Sequence, residues 1–433
     1  MKSVLKYKNK KDLLKAKKRN AKMYAIYKMF SWDLLFFYSI QYLFLTMTKG
    51  ISPGDILKID AFYPLFTMIM QLPAIICGDI LGRKRSIVIG NALVSLYVVI
   101  LMMVPGKIGL FIANIIWAFG YALKNTQETN LLYDSTSTRG GEGLYSQING
   151  RGATGYYVLD GIASLVAGYL FVINEYLPMF MCLGFTLIAT IISFGFKDIY
   201  KNDLQSRNNI SESLKEYKED FKYSIKAIIK SKRLRALIIF LSVFNAVINI
   251  MGTYRGNILT ALEVKPESFS IIIAAITLIA GLTTIYQNKF HKKYRNKSLG
   301  ILAISYVLSM IIMGVLVLTN SKEVLPLVLV LLCIRNITMS LYYILAERYL
   351  KNFSTPKTRG RISFASETIT NIIESACMFG AGIILDITSI GTATLWMGLL
   401  FLGVFVVLLD YMRTRVGLRP NQYKEEDIDL EKV

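Results

Sequence analysis

Long runs of apolar residues, each bounded by charge, Gly or Pro, recur along the whole chain and read as helices near 24–48, 56–78, 87–104, 109–133, 152–173, 177–196, 236–259, 268–288, 298–319, 324–349, 362–386 and 391–412. A hydrocarbon core about 30 Å thick takes roughly 20 apolar residues of helix, so each run is long enough, or nearly so, to cross it. Uncharged stretches such as Ile108 to Leu123 and Leu299 to Thr319 lack the polar face that a helix on a soluble surface carries. Composition agrees. Of 433 residues, 54% are hydrophobic and 18% charged, against about 25% charged in soluble domains. The expected fold is an all-α membrane protein with twelve transmembrane helices in two six-helix bundles.

The chain carries 50 Lys+Arg against 29 Asp+Glu, a formal net charge of +21. A basic excess fits nucleic acid or the cytoplasmic loops of a membrane protein, and its distribution decides between them. If the amino terminus is cytoplasmic, 41 of the basic residues fall on the inner side and six outside: Lys49, Lys58, Lys107, Arg255, Lys265 and Lys322. Lys28, Lys124 and Arg335 lie within spans. This asymmetry orients the chain with both termini in the cytoplasm and accounts for the charge without nucleic acid. The first 22 residues hold ten Lys/Arg and no apolar core, which excludes a cleavable signal peptide. The Lys-, Ile- and Asn-rich composition fits an AT-rich bacterial genome, and with it the cytoplasmic membrane.

The longest polar stretch follows the sixth span. It divides the chain into a basic tail (1–23), a first bundle (24–196), a linker (197–235), a second bundle (236–412) and a carboxy-terminal tail (413–433), as in transporters built from two halves. Within the linker, Ser211 can cap a helix whose Leu214, Tyr217, Phe221, Ile225 and Ile228 follow helical spacing. That helix suits a linker lying on the membrane or a gating latch. A weak repeat supports two halves: Gly150-Arg151 and Gly360-Arg361 each open a fifth span after a charged turn.

Between the second and third spans the chain reads Pro73-Ala-Ile-Ile-Cys-Gly-Asp79-Ile-Leu-Gly82-Arg83-Lys84-Arg85. This resembles the loop signature of the major facilitator superfamily, Asp-x-x-Gly-Arg-Lys/Arg, in the family's position; Leu132-Tyr133-Asp134 followed by Gly150-Arg151 adds a weaker likeness. Physically, Gly82 permits a tight turn, Asp79 can accept from free helix N–H groups, and Arg83 can pair with a carboxylate. The resemblance implies a pseudo-symmetric facilitator fold and a gating role for Asp79, Gly82, Arg83, Arg85 and Asp134, with Asp134 as the partner of Arg83. The alternative is a basic cytoplasmic turn without a gating role. Ile75 and Gln71 stand where members often have Gly and an acidic residue, Ile116 where proton-coupled members often have Arg, and the fifth span runs Gly161 to Gly168 without the Gly-Pro of drug/proton antiporters.

Ionisable residues inside a span cost about 2.5–3.5 kcal/mol each to insert, so they generally face a cavity and serve function. Asp33, Asp160, Arg335 and Glu374 fall near mid-depth, and helical spacing groups the polar positions into stripes: Asp33, Phe37, Gln41 and Phe44; Trp117, Tyr121, Lys124 and Glu128; Asn245, Asn249, Gly252 and Gly256; Glu367, Asn371, Glu374 and Met378. Such stripes suit a water-accessible cavity for a small molecule. For Lys124–Glu128 and Arg335–Glu374, a structural ion pair is the competing account. Asp33 and Glu374 are the candidate proton carriers, and Arg335 suits an anionic substrate group.

No phosphate-binding loop appears, the only histidine is His291 in a basic loop, and Cys77, Cys182, Cys333 and Cys377 lie singly in apolar segments. The reading excludes an enzyme and expects no cofactor and no metal. It expects a monomeric secondary transporter whose partners are a small-molecule substrate, protons and membrane lipids. Efflux of a drug or metabolite is favoured by analogy with bacterial members. Nutrient uptake is the first alternative, and a non-transporting receptor or lipid-handling protein the second.

Overall fold

The computed structural model describes residues 9–136, 141–199, 228–352 and 359–415, with isolated positions between 215 and 226; the side chains of residues 79, 141, 142, 296, 351, 352, 359–361 and 413–415 are outside the description. Most of the expected linker helix lies outside the described residues. Those described are helical throughout apart from turns, and ten helices are long and apolar enough to cross a membrane. The sixth expected span is the shorter apolar helix Leu177–Ser193.

In chain order the main helices are α1 (Lys10–Ser31), α2 (Gln41–Leu43, continued by a π-turn at Phe44–Thr48), α3 (Pro53–Asp60), α4 (Phe62–Leu81), α5 (Arg83–Met103), α6 (Gly106–Thr136), α7 (Gly141–Ile173) and α8 (Leu177–Ser193). Beyond the linker come α9 (Lys232–Ala261), α10 (Pro266–Thr283), α11 (Gln287–Tyr294), α12 (Ser298–Leu318), α13 (Leu325–Asn352), α14 (Arg359–Ile387) and α15 (Ile390–Arg415). His291, expected in a loop, sits half-buried on α11.

The first expected span is broken. α1 stops at Ser31, and residues 32–40 form turns in which Phe36 takes φ 67°, a region non-glycine residues seldom occupy. Two side chains account for the break. The Asp33 carboxylate accepts the N–H of Leu34 at 2.9 Å, and the Lys124 ammonium takes the carbonyl of Ser31, which a continuing helix would have used. Unwound backbone at membrane depth is tolerated where protein covers it, and Leu34, Leu35, Phe36 and Phe37 are buried. Asp33, Phe37, Gln41 and Phe44 therefore do not form the helical stripe that their spacing suggested.

The chain resolves into two compact units. The first holds the described parts of Met1–Gly50, Phe66–Leu214 and Pro266–Ile271; the second holds those of Ile51–Leu65, Lys215–Lys265 and Ile272–Val433. In the first, α5 and α6 cross at two glycines. A Cβ on Gly90 would lie 2.8 Å from the carbonyl of Gly120 and from Lys124 backbone, so only a bare backbone lets α6 approach this closely. Tyr24, Tyr27, Ile87, Leu131, Leu132 and Phe196 form the adjoining core.

In the second unit α9 is the central helix. Phe240 and Phe244 pack on Tyr306, Tyr342 and Phe405, the closest rings being Phe244 and Tyr342 at 4.2 Å. Ser242 bonds Thr370 at 2.8 Å, and Tyr254 donates to the carbonyl of Ala381 at 3.1 Å, tying α9 to α14. α3 joins this unit through Gly54, whose added Cβ would fall 2.8 Å from the carbonyl of Gly382, while Lys58 bridges Asp55 and Asp386.

Candidate transport site

In the first unit the polar residues of α1 and α6 form one buried network. Glu128 pairs with the ammonium of Lys28 and accepts the hydroxyl of Tyr27 at 2.8 Å; Asn91 on α5 donates to that hydroxyl at 2.9 Å. The ion pair therefore joins Glu128 to Lys28 and not to Lys124, the partner that the competing account gave it. One turn before Glu128, Lys124 donates a hydrogen bond to the carbonyl of Ser31 and lies over the ring of Tyr121, 5.3 Å from its centroid, within the field of both Glu128 and Asp33. The break in the first span and the position of Lys124 thus have one cause.

Trp117 stacks on Tyr121 at 5.6 Å, and Lys28 lies 4.9 Å from the ring of Trp32. Asp33 accepts the Tyr38 hydroxyl at 2.8 Å. Asp160, on α7 beside Tyr156 and Tyr157, is near enough for the two carboxylates to repel. A cavity of about 10 Å³ is lined by Ser31, Asp33, Asn91, Trp117, Lys124 and Thr186 among others, room for about one water. Gln41 is half-buried where α2 begins.

The second unit holds a carboxylate of a different kind. Glu374 on α14 is buried and accepts the amides of Asn245 at 2.6 Å and Asn249 at 2.7 Å, both from α9, while Tyr343 donates to Asn245 Oδ1 at 3.3 Å. No cation pairs with it among the described residues. Asn371 lies half-buried one turn earlier on α14. Arg335 does not pair with Glu374, as the competing account had it: its guanidinium donates to the carbonyl of Met251 at 2.8 Å and, more weakly, to Asn336 at 3.4 Å.

α9 also shows which way its polar face looks. From Ala236 to Leu259, every residue is buried except Ile239, Asn245, Asn249, Gly252, Thr253, Arg255 and Asn257. A helix lying against lipid would leave apolar side chains uncovered, whereas this one uncovers amides, a glycine and an arginine, the composition of a water-facing stripe.

At the turn between α4 and α5, Gly82 takes φ 82° and opens α5. Arg83 forms an ion pair with Asp134 and donates to the carbonyl of Asn130 at 2.6 Å, so this turn and the end of α6 are brought together. Arg85 is exposed on α5, and the Asp79 side chain lies outside the described residues. The free N–H of Lys84 is accepted by Asp198 at 2.8 Å, a helix-start cap that sequence reasoning missed. It also missed Lys28, although a lysine within a span met the same criterion that singled out Lys124, and Tyr27 and Asn91, whose spacing carried no signal.

Long apolar helices with buried, hydrogen-bonded charges among them define a polytopic membrane protein. The chain belongs to the Major Facilitator Superfamily, whose family model matches residues 25–373. No curated protein matches it in sequence. Among solved structures it resembles the nucleoside transporter NupG (TM-score 0.68, 14% identity, covering 93% of this chain and 100% of that one). It also resembles a POT family transporter in complex with 5-aminolevulinic acid (0.62, 12%, 93% and 96%) and the D-xylose-proton symporter (0.58, 12%, 90% and 96%). At these identities the likeness is one of fold.

Proposed function

We propose that this chain is a secondary active transporter that moves a small molecule across the cytoplasmic membrane by alternating access, coupled to protons, in the direction of efflux. Both termini lie in the cytoplasm, as the distribution of Lys and Arg requires. One observation supports coupling above the rest: Glu374 is buried within a span and held by two neutral amides without a cation. A carboxylate in that setting can take up and release a proton as its access to water changes, whereas Glu128 is already engaged in an ion pair with Lys28. Asp33, held by a hydroxyl and a backbone N–H, is the second carrier. The aromatic residues Trp117 and Tyr121 offer apolar surface to a substrate. Arg83 and Asp134 serve as the cytoplasmic gate.

The experiment is solute flux in liposomes containing the full chain, with an imposed pH gradient of either sign and a panel of drugs, nucleosides and sugars. Efflux predicts accumulation in inside-out vesicles only with an acidic lumen. Accumulation along the proton gradient instead would assign uptake, and no flux of any solute would favour a receptor or lipid-handling role.

A further inference from the structure

The buried hydrogen-bond donors of the second unit that have no partner among the described residues include Nε of Arg255 on α9, Nε of Arg335 on α13 and the hydroxyl of Tyr306 on α12. These three belong together. Arg335 donates to the carbonyl of Met251, the same carbonyl that the helix offers to the N–H of Arg255 one turn on, so the Arg335 guanidinium lies against the turn that carries Arg255. Its carbon is 5.8 Å from the centroid of the Tyr306 ring, and the two guanidinium charges are close enough to repel each other and to feel the tyrosine. Arg335 is 2% exposed and Tyr306 fully buried. Neither arginine has a carboxylate partner among the described residues.

Two neighbouring like charges, one of them within a span, are costly without a counter-charge among the described residues, and the cost is met when an anion joins them. We infer that Arg255, Arg335 and Tyr306 form a binding site for the oxyanion group of a small solute, a carboxylate or a phosphate. Arg335 spends Nη1 on Met251 and, weakly at 3.4 Å, one Nη2 donor on Asn336, and leaves Nε, a donor on the edge that grips a carboxylate or phosphate. Tyr306 adds a third donor. Access is from the polar stripe of α9: Gly252, one turn before Arg255, is exposed and has no atom within 4 Å of the position a Cβ would take. The site adjoins the Glu374 cluster, since Tyr343 bonds Asn245 and feels both Glu374 and Tyr306. This inference rests on the transport reading for its purpose, and names the substrate class.

The test is binding by the purified full chain, without any gradient, read by thermal shift and calorimetry with inorganic phosphate and with acetate against chloride at equal ionic strength. Saturable stabilisation by phosphate or by acetate is expected, and the stronger of the two assigns the group. Arg255→Gln should weaken it about tenfold or more, the loss expected for a charge-assisted hydrogen bond, and Tyr306→Phe should weaken it several-fold. Arg335→Gln removes a bond to the α9 backbone and can unfold the unit, so the half-buried Arg255 and the conservative Tyr306→Phe carry the decision, each checked by gel filtration. No stabilisation beyond chloride, or unchanged binding in both variants, overturns the site. A protein that binds the anion yet moves no solute would refute the transport reading and leave the site standing; a proton-driven transporter indifferent to both anions would do the reverse.

Discussion

The Glu128 carboxylate takes its counter-charge from Lys28 on α1 and a hydroxyl from the neighbouring Tyr27, with side-chain exposures of 0% and 8% for the ion pair. Breaking a buried pair from one side leaves an uncompensated charge and costs about 3–5 kcal/mol, while replacing both partners by apolar residues is often neutral. Lys28→Met should therefore lower the unfolding midpoint of the purified protein strongly, and Lys28→Met with Glu128→Leu should recover most of the loss. Equal midpoints for parent and single variant would show that the pair does not hold α1 to α6.

The Gly54 crossing makes a steric prediction. Gly54→Val would drive a side chain into the Asp386 carboxylate and the backbone of Gly382, and overpacking of this kind costs about 1–3 kcal/mol. Thermal unfolding of the variant should fall, and Lys58→Ala, which loses contacts of two partly exposed carboxylates, should fall far less. The opposite order would argue that charge rather than backbone approach joins α3 to α14.

At the turn between α4 and α5, Arg83→Ala removes both the Asp134 pair and the bond to Asn130. Transport should drop at unchanged membrane insertion, and Asp79→Asn should do the same. Normal flux in both variants would reduce the turn to an orientation signal.

The inside-outside assignment has a direct check. A cysteine placed at Lys107 should react with a membrane-impermeant maleimide added to intact cells, and one placed at Arg85 should not. The reverse pattern would invert the topology.

Most of the fold is legible in the chain because bilayer thickness and hydrophobicity set the length of each helix, and those are local properties. What was not legible depends on partners distant in sequence. The break at residues 32–40 needs the Lys124 ammonium on the carbonyl of Ser31, ninety-three positions away. Lys124–Glu128 and Arg335–Glu374 had plausible spacing or depth, yet Lys28 reaches Glu128 from another helix and the amides of α9 occupy Glu374 first. Gly82 was readable because a left-handed turn needs a glycine whatever surrounds it. Asp198 was not, since a cap supplied from another element leaves no mark near the helix it caps.

Asp33→Asn keeps an oxygen for the N–H of Leu34 and so preserves the turn while removing a proton acceptor. The pH profile of transport should flatten in this variant. An unchanged profile would take Asp33 out of the coupling.

The central claim is that Glu374 carries the coupling proton. In liposomes loaded with a pH-sensitive dye, substrate added to the parent protein should move protons in fixed ratio to solute. Glu374→Gln, which retains one oxygen for one of the two α9 amides, should exchange labelled for unlabelled substrate while moving no protons. Proton movement that persists in Glu374→Gln at the parent ratio would contradict the account.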